Sequence, residues 1–132
     1  MKLPTDREIL EEIYSRYYAT FTSFSRDPDK KSRESKVFVP IDLESVADRF
    51  NVDGDIIFGR LYFYLEDKYG YKREDGSRVR FFAPFELRER HCVNFPMLAS
   101  VLASLQEEHR RQQWTLWLSI ASIVVATVAL VV

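Results

Sequence analysis

The chain has 132 residues, with 19 Lys and Arg against 20 Asp and Glu, for a formal net charge of −1. That balance does not advertise a polyanion partner through bulk charge. Cys92 is the only cysteine, which excludes an intramolecular disulfide and the Cys-rich zinc patterns; the length suits one compact domain beside an apolar tail.

The opening MKLPTDREILEEIYSRYY has no apolar h-region, and acidic residues stand where one would lie, so it does not read as a signal peptide. Thr5 to Phe24 predicts a helix. Thr5-Asp6-Arg7-Glu8 has capping-box spacing, and Ile9, Leu10, Ile13, Tyr14, Tyr17, Phe21 and Phe24 follow as one apolar face. Ser25 to Ser35 is a polar loop. Its Arg26, Lys30, Lys31 and Arg33 are offset by Asp27, Asp29 and Glu34, which reads as a solvated segment.

Lys36 to Ile41 is a short strand that Pro40 ends or confines to an edge. Asp42 has N-cap chemistry and opens a helix through Phe50, with Leu43, Val46, Ala47 and Phe50 inward. Asn51 to Gly54 is a turn. A second helix follows from Asp55 to Lys68, with Ile57, Phe58, Leu61, Leu65 and Tyr69 as its buried set and Gly70 at its end. Tyr71 to Pro84 reads as a hairpin around Asp75-Gly76.

Helix, short strand, helix, turn, helix and hairpin is an order that resembles the winged helix-turn-helix superfamily. The resemblance lies in IDLESVADRFNVDGDIIFGRLYFYLEDKYGY and the hairpin after it, and covers about residues 5 to 84. Ala47 matches the small residue between the two helices of the turn, Asn51-Val52 the tight turn, and Leu61 and Leu65 the inward positions of the second helix. It implies an α+β, winged-helix-like domain. It does not decide function, because the superfamily includes both DNA binders and protein-binding modules.

Residues 85–112 read as a linker and juxtamembrane helix, with a helical turn over Phe85 to Arg90. Asn94 caps a long helix that tolerates Pro96 in its first turn. Nothing breaks that helix before the end of the sequence. From Trp114 to Val132 it holds no charge, Pro or Gly, and as a helix it reaches about 28 Å, close to the roughly 30 Å hydrocarbon core of a bilayer. The expected organisation is therefore a domain at 1–84, a linker at 85–112 and a single transmembrane helix at 113–132. His109, Arg110 and Arg111 precede the span and no charge follows it, which places the N-terminal domain in the cytosol.

Leu98, Val101, Leu105, Glu108, Gln112, Thr115, Ser119, Ser122, Ala126 and Ala129 recur at alternating three- and four-residue intervals. That is heptad spacing, with small residues inside the span, and it suggests helix association along one face.

Catalysis finds little to work with. His91 and His109 are the two histidines, and HExxH, GxSxG, GxxxxGK[ST] and GxGxxG strings do not occur. No cofactor, metal or small-molecule substrate is implied. Nucleic-acid contact would fall to Arg60, Lys72, Arg73, Arg78 and Arg80, but Asp53 and Asp55 at the start of the second helix oppose a phosphate backbone. The aromatic run Tyr62, Phe63, Tyr64, with Tyr69 and Tyr71, exceeds what one buried helix face holds, and makes Tyr62 and Phe63 candidate partner contacts. The first expectation is thus a non-enzymatic, membrane-anchored module that recruits a protein partner or self-assembles. A membrane-tethered DNA-binding regulator ranks second, and a membrane-active effector with an oligomerising tail third.

Overall fold

The computed structural model describes residues 2–29, 33, 35–86 and 89–132, with backbone alone at 85, 86, 89 and 90. The expected loop cations Lys30 and Lys31, and Glu34, lie outside the described residues.

Helix α1 (Asp6–Thr22) starts at the predicted capping box. Thr5 Oγ1 accepts from the Glu8 amide at 3.2 Å, and Glu8 Oε1 accepts from the Thr5 amide at 3.0 Å. Ile9, Leu10 and Ile13 are buried, and Tyr14, Tyr17 and Phe21 pack against the core. Tyr17 also accepts a 2.7 Å bond from the Asp42 amide, tying α1 to the next helix. Arg33 does not behave as a solvated loop cation. It is buried, donates to the carbonyls of Thr20, Ser35 and Lys36, and lies over the Phe24 ring, so it staples the chain leaving α1.

Strand β1 (Phe38–Pro40) lies on a sheet edge, where a proline's missing N–H is tolerated. Asp42 caps α2 (Leu43–Arg49) by accepting from the Glu44 and Ser45 amides. The helix closes at Asn51, whose φ of 56° is left-handed, while the Val52 amide returns to the Ala47 carbonyl. Asp53 then caps α3 (Gly54–Gly59). Gly54 has a spatial reason: a Cβ there would overlap the Glu44 carboxylate.

Helix α3 continues through a π-helical segment (Arg60–Leu65) into α4 (Glu66–Tyr69), with right-handed helical backbone at both junctions. The expected buried residues Ile57, Leu61 and Leu65 are buried, and Phe58 and Tyr69 are partly so. Gly70 has φ −66°, so it is not a left-handed cap. Its lack of a side chain instead leaves room for Glu66 and Arg78.

The expected hairpin is present but short. Strands β2 (Tyr71–Lys72) and β3 (Arg78–Val79) pair antiparallel, and Gly76 takes φ 89° in a turn closed by its amide on the Arg73 carbonyl. Phe81 and Phe82 return to the core as expected.

Where a helical turn was expected over Phe85 to Arg90, the described residues 85, 86, 89 and 90 lie in strands. Strands β4 (Phe82–Glu86) and β5 (Glu89–Asn94) pair antiparallel, and β1 adds to β5, giving a three-stranded sheet in the order β1-β5-β4. The physical reason is apolar pairing across strands: Phe82 faces Val93, Ala83 faces Cys92, and all four are buried. The charged run ELRER masks this pattern in the sequence. His91, within β5, holds φ 55°, an uncommon conformation for a non-glycine residue.

Helix α5 (Phe95–Val131, 37 residues) spans about 56 Å. Asn94 caps it as expected, accepting from the Met97 amide at 3.2 Å, while its Nδ2 donates to the Arg80 carbonyl at 3.0 Å. Phe95, Leu98 and Leu102 are buried in the core, and Met97, Val101 and Leu105 pack on it. Residues 95–105 are thus a wall of the domain. Beyond Gln106 every side chain of α5 is exposed, and this part is long and apolar enough to cross a membrane.

Phe95 joins helix to domain, stacking on Tyr14 and Phe21 at centroid distances of 5.3 and 4.8 Å. Phe95→Ala should destabilise by about 3–5 kcal/mol, whereas Phe63→Ala, at an exposed site, should shift stability by less than about 0.5 kcal/mol. Urea unfolding followed by circular dichroism in micelles checks both. Equal losses would contradict the placement of Phe95.

Among the described residues, three carboxylates are held below their usual range: Glu8 by the Thr5 amide and then its hydroxyl, Asp42 first by the Ser45 hydroxyl, and Asp75 first by the Ser77 hydroxyl. A depressed folded value contributes stability above the unfolded value, lost as pH falls through the folded one. Stability should therefore be level above about pH 5 and fall on acidification below about pH 4. Glu8→Gln, which keeps the capping geometry, should make that fall shallower.

Candidate partner interface on the π-helical segment

Leu61 and Leu65 anchor the π-helical segment by burial in the core. The three residues between them face outward: Tyr62 is 38% exposed, Phe63 72% and Tyr64 50%. A π turn admits an extra residue per turn and occurs often at functional sites. Here it coincides with three consecutive outward aromatics. Phe58 stands behind them, stacked on Tyr62 at 5.3 Å and edge-on to Phe63 at 6.4 Å, with Phe82 at 5.8 Å and His91 at 5.6 Å on its other sides. Tyr62 and Phe63 meet edge to face at 4.9 Å. Ile56 is also exposed. The patch therefore has a rigid base and an apolar outer face, the character of an interface anchor. Phe58 was not expected in it; its hydrophobicity beside the inward Ile57 was the available signal.

Lys68 borders the patch, its Nζ 5.4 Å from the Tyr69 ring centroid and 5.7 Å from that of Tyr64. Electrostatic attraction to Tyr69, then Tyr64, holds its amine above the usual value. Phe58 and His91 also line an open cavity of about 420 Å³, with Asp42, Glu44 and Asp55 at its sides. Among the described residues, no three His, Cys, Asp or Glu side chains come together in a way that could hold a metal ion.

The five cations expected to contact nucleic acid do not share one environment. Arg60 donates to Asp6 at 2.8 Å, crossing from the π-helical segment to the first turn of α1. Arg78 donates to Glu66 Oε2 at 2.8 Å and to the Glu66 carbonyl at 3.0 Å. Glu66 is buried, and its other carboxylate oxygen accepts the Phe81 amide at 3.1 Å. This arrangement fixes β3 to α4. Lys72, Arg73 and Arg80 are exposed on or beside the small hairpin.

The expected association stripe divides in two. Leu98 is buried, and Val101 and Leu105 pack on the domain's own core, so these three face inward rather than toward a helix of another copy. Thr115, Ser119, Ser122, Ala126 and Ala129 are exposed along the apolar part of α5, and the Thr115 hydroxyl donates to the Arg111 carbonyl at 3.0 Å.

Comparison with protein-family models, with curated proteins and with solved structures found no match to the chain.

Arg78→Ala would strip the partner from a buried carboxylate and should destabilise by about 1–3 kcal/mol. Arg80→Ala should change stability by less than about 0.5 kcal/mol. Equal effects in chemical denaturation would contradict a structural role for Arg78.

Proposed function

We propose that the chain is a membrane-anchored interaction module. Its α5 helix crosses the bilayer once, and its domain holds a protein partner at the membrane face through the aromatic patch. The observation that carries this reading is Phe63, 72% exposed on a helix whose neighbouring leucines are locked in the core. A large apolar side chain on a rigid base loses little conformational freedom on binding, which favours it as an anchor.

The membrane part rests on magnitude. Trp114, Leu116, Trp117, Leu118, Ile120, Ile123, Val124, Val125, Val128, Leu130 and Val131 are all exposed. At about 1.5–3 kcal/mol for removing each such side chain from water, their transfer amounts to roughly 15–30 kcal/mol, more than a typical domain's whole stability. His109, Arg110 and Arg111 on the domain side favour a cytosolic domain by the positive-inside rule.

The domain is winged-helix-like in this reading. The order α1, β1, α2, α3 and hairpin supports it, as do buried Ala47 and the left-handed turn at Asn51. The hairpin that pairs with β1 is β4–β5 and not the one expected over Tyr71 to Pro84, so β2–β3 is an additional small hairpin ahead of it.

A second reading, a membrane-tethered DNA-binding regulator, draws on exposed Lys72, Arg73 and Arg80. It ranks lower because Arg60 and Arg78 are occupied by Asp6 and Glu66, and exposed Asp53 and Asp55 open α3. Self-assembly through Ser119, Ser122, Ala126 and Ala129, including its membrane-active form, ranks third: the stripe is exposed, but it is short.

A photocrosslinking residue at position 63 of the full chain in native membranes should yield a discrete protein adduct, and one at Asp48 should not. Phe63→Ala should weaken the captured complex by at least about 30-fold, the scale of a hot-spot loss of 2 kcal/mol. Salt-sensitive binding of duplex DNA by the full chain in micelles, abolished by Lys72→Glu with Arg80→Glu, would favour the regulator instead.

A further inference from the structure

Helices α1 and α5 lie side by side and run in opposite directions. The last turns of α1 meet the start of α5, where Phe21 stacks on Phe95. Midway, Gln106 Nε2 donates to Glu11 Oε1 at 3.3 Å. At the other end, Lys2, Thr5, Asp6 and Glu8 share a groove of about 470 Å³ with Leu105, Glu108, His109 and Gln112. Residues 2–6 therefore stand level with the part of α5 that immediately precedes Trp114.

That level has a meaning beside a bilayer. The polar layer on each side of the hydrocarbon core is about 5–8 Å thick. With Trp114 at the boundary, a rise of about 1.5 Å per residue puts His109 to Gln113 inside that layer. Lys2 and Asp6, which line one groove with His109 and Gln112, fall at about that depth. Leu3 is 55% exposed there, next to buried Pro4. Of the nearby acidic side chains, Asp6 is engaged by Arg60, Glu8 in the capping box and Glu107 by Arg111, while Glu108 in the same groove is exposed to solvent. No Gly or Pro after Pro96 lets α5 bend away from this arrangement.

We propose that the Lys2–Leu3 edge of the domain inserts into the headgroup layer of the bilayer that α5 crosses. The domain is then seated flush on the membrane at a fixed angle and does not swing on a tether. The occupant is the lipid interface itself: Leu3 reaches the upper acyl chains, and the Lys2 ammonium stays at phosphate depth on its flexible stem. The inference rests on the reading of α5 as a membrane span.

The test uses the full chain in phosphatidylcholine vesicles. An environment-sensitive fluorophore is placed on Leu3→Cys or, at the opposite end of α1, on Ser23→Cys. Native Cys92 is buried and stays unlabelled in the folded chain. Nitroxide on the lipid headgroup should quench the Leu3→Cys label several-fold more than the Ser23→Cys label. Emission of Trp114 and Trp117, quenched by nitroxide on the acyl chains, reports separately that α5 has inserted. Inserted tryptophans with two equally unquenched labels would overturn the seating while leaving the span intact. A Leu3→Cys label shielded from aqueous iodide yet untouched by the lipid quencher is covered by protein, a partner or a second copy, and also overturns it. Unquenched tryptophans would overturn the span and the seating together.

Discussion

Helix α5 carries two apolar surfaces on one unbroken backbone, one buried in the domain's core and one exposed and long enough to cross a membrane, and the rest of the structure is arranged around that division. Its first three turns carry Phe95, Leu98 and Leu102 into the protein core, and its last eighteen residues expose an apolar surface on every side. Between the two lies a charged run, Glu107 to Arg111, that suits neither interior. Because all backbone hydrogen bonds of a helix lie within it, the same element can serve protein and lipid without exposing polar groups. The cap at Asn94 sets where this begins. Its amide side chain holds the Arg80 carbonyl, so the start of α5 and the close of the small hairpin are fixed together.

The polar interactions divide between fastening and presenting. Arg33, Arg60 and Arg78 look in the sequence like surface charge, yet each ties distant pieces of chain together: Arg33 to the end of α1, Arg60 to its start, and Arg78 to α4. Spending cations in this way leaves less positive surface for phosphates. Meanwhile the π-helical segment turns Tyr62, Phe63 and Tyr64 outward from a base of buried leucines and half-buried Phe58. The balance of paired charge and presented aromatic surface is what makes protein recognition the stronger reading.

Local features were legible in the sequence because their causes are local. The capping box at Thr5 and Glu8, the caps at Asp42 and Asn94, and the long apolar helix depend on residues within a few positions of one another. The sheet was harder to see. Strand β5 is built against β1, whose partner residues lie more than fifty positions earlier, and ELRER, running from the end of β4 into β5, reads as solvated helix. The π turn has no distinct pattern, since Leu61 and Leu65 satisfy an α-helical spacing equally well. The Arg60–Asp6 and Arg78–Glu66 pairs needed the fold before they could be seen. So did the inward turn of Leu98, which heptad spacing assigned to a partner helix but which the domain's own core claims.

The most direct measurement is alkaline carbonate extraction of membranes from cells producing the full chain. Integral insertion of α5 predicts that the chain stays in the membrane pellet, and that Ile123→Lys with Val125→Lys, which places two charges near the middle of the span, moves it to the supernatant. Release of the unaltered chain into the supernatant would contradict a membrane-crossing helix.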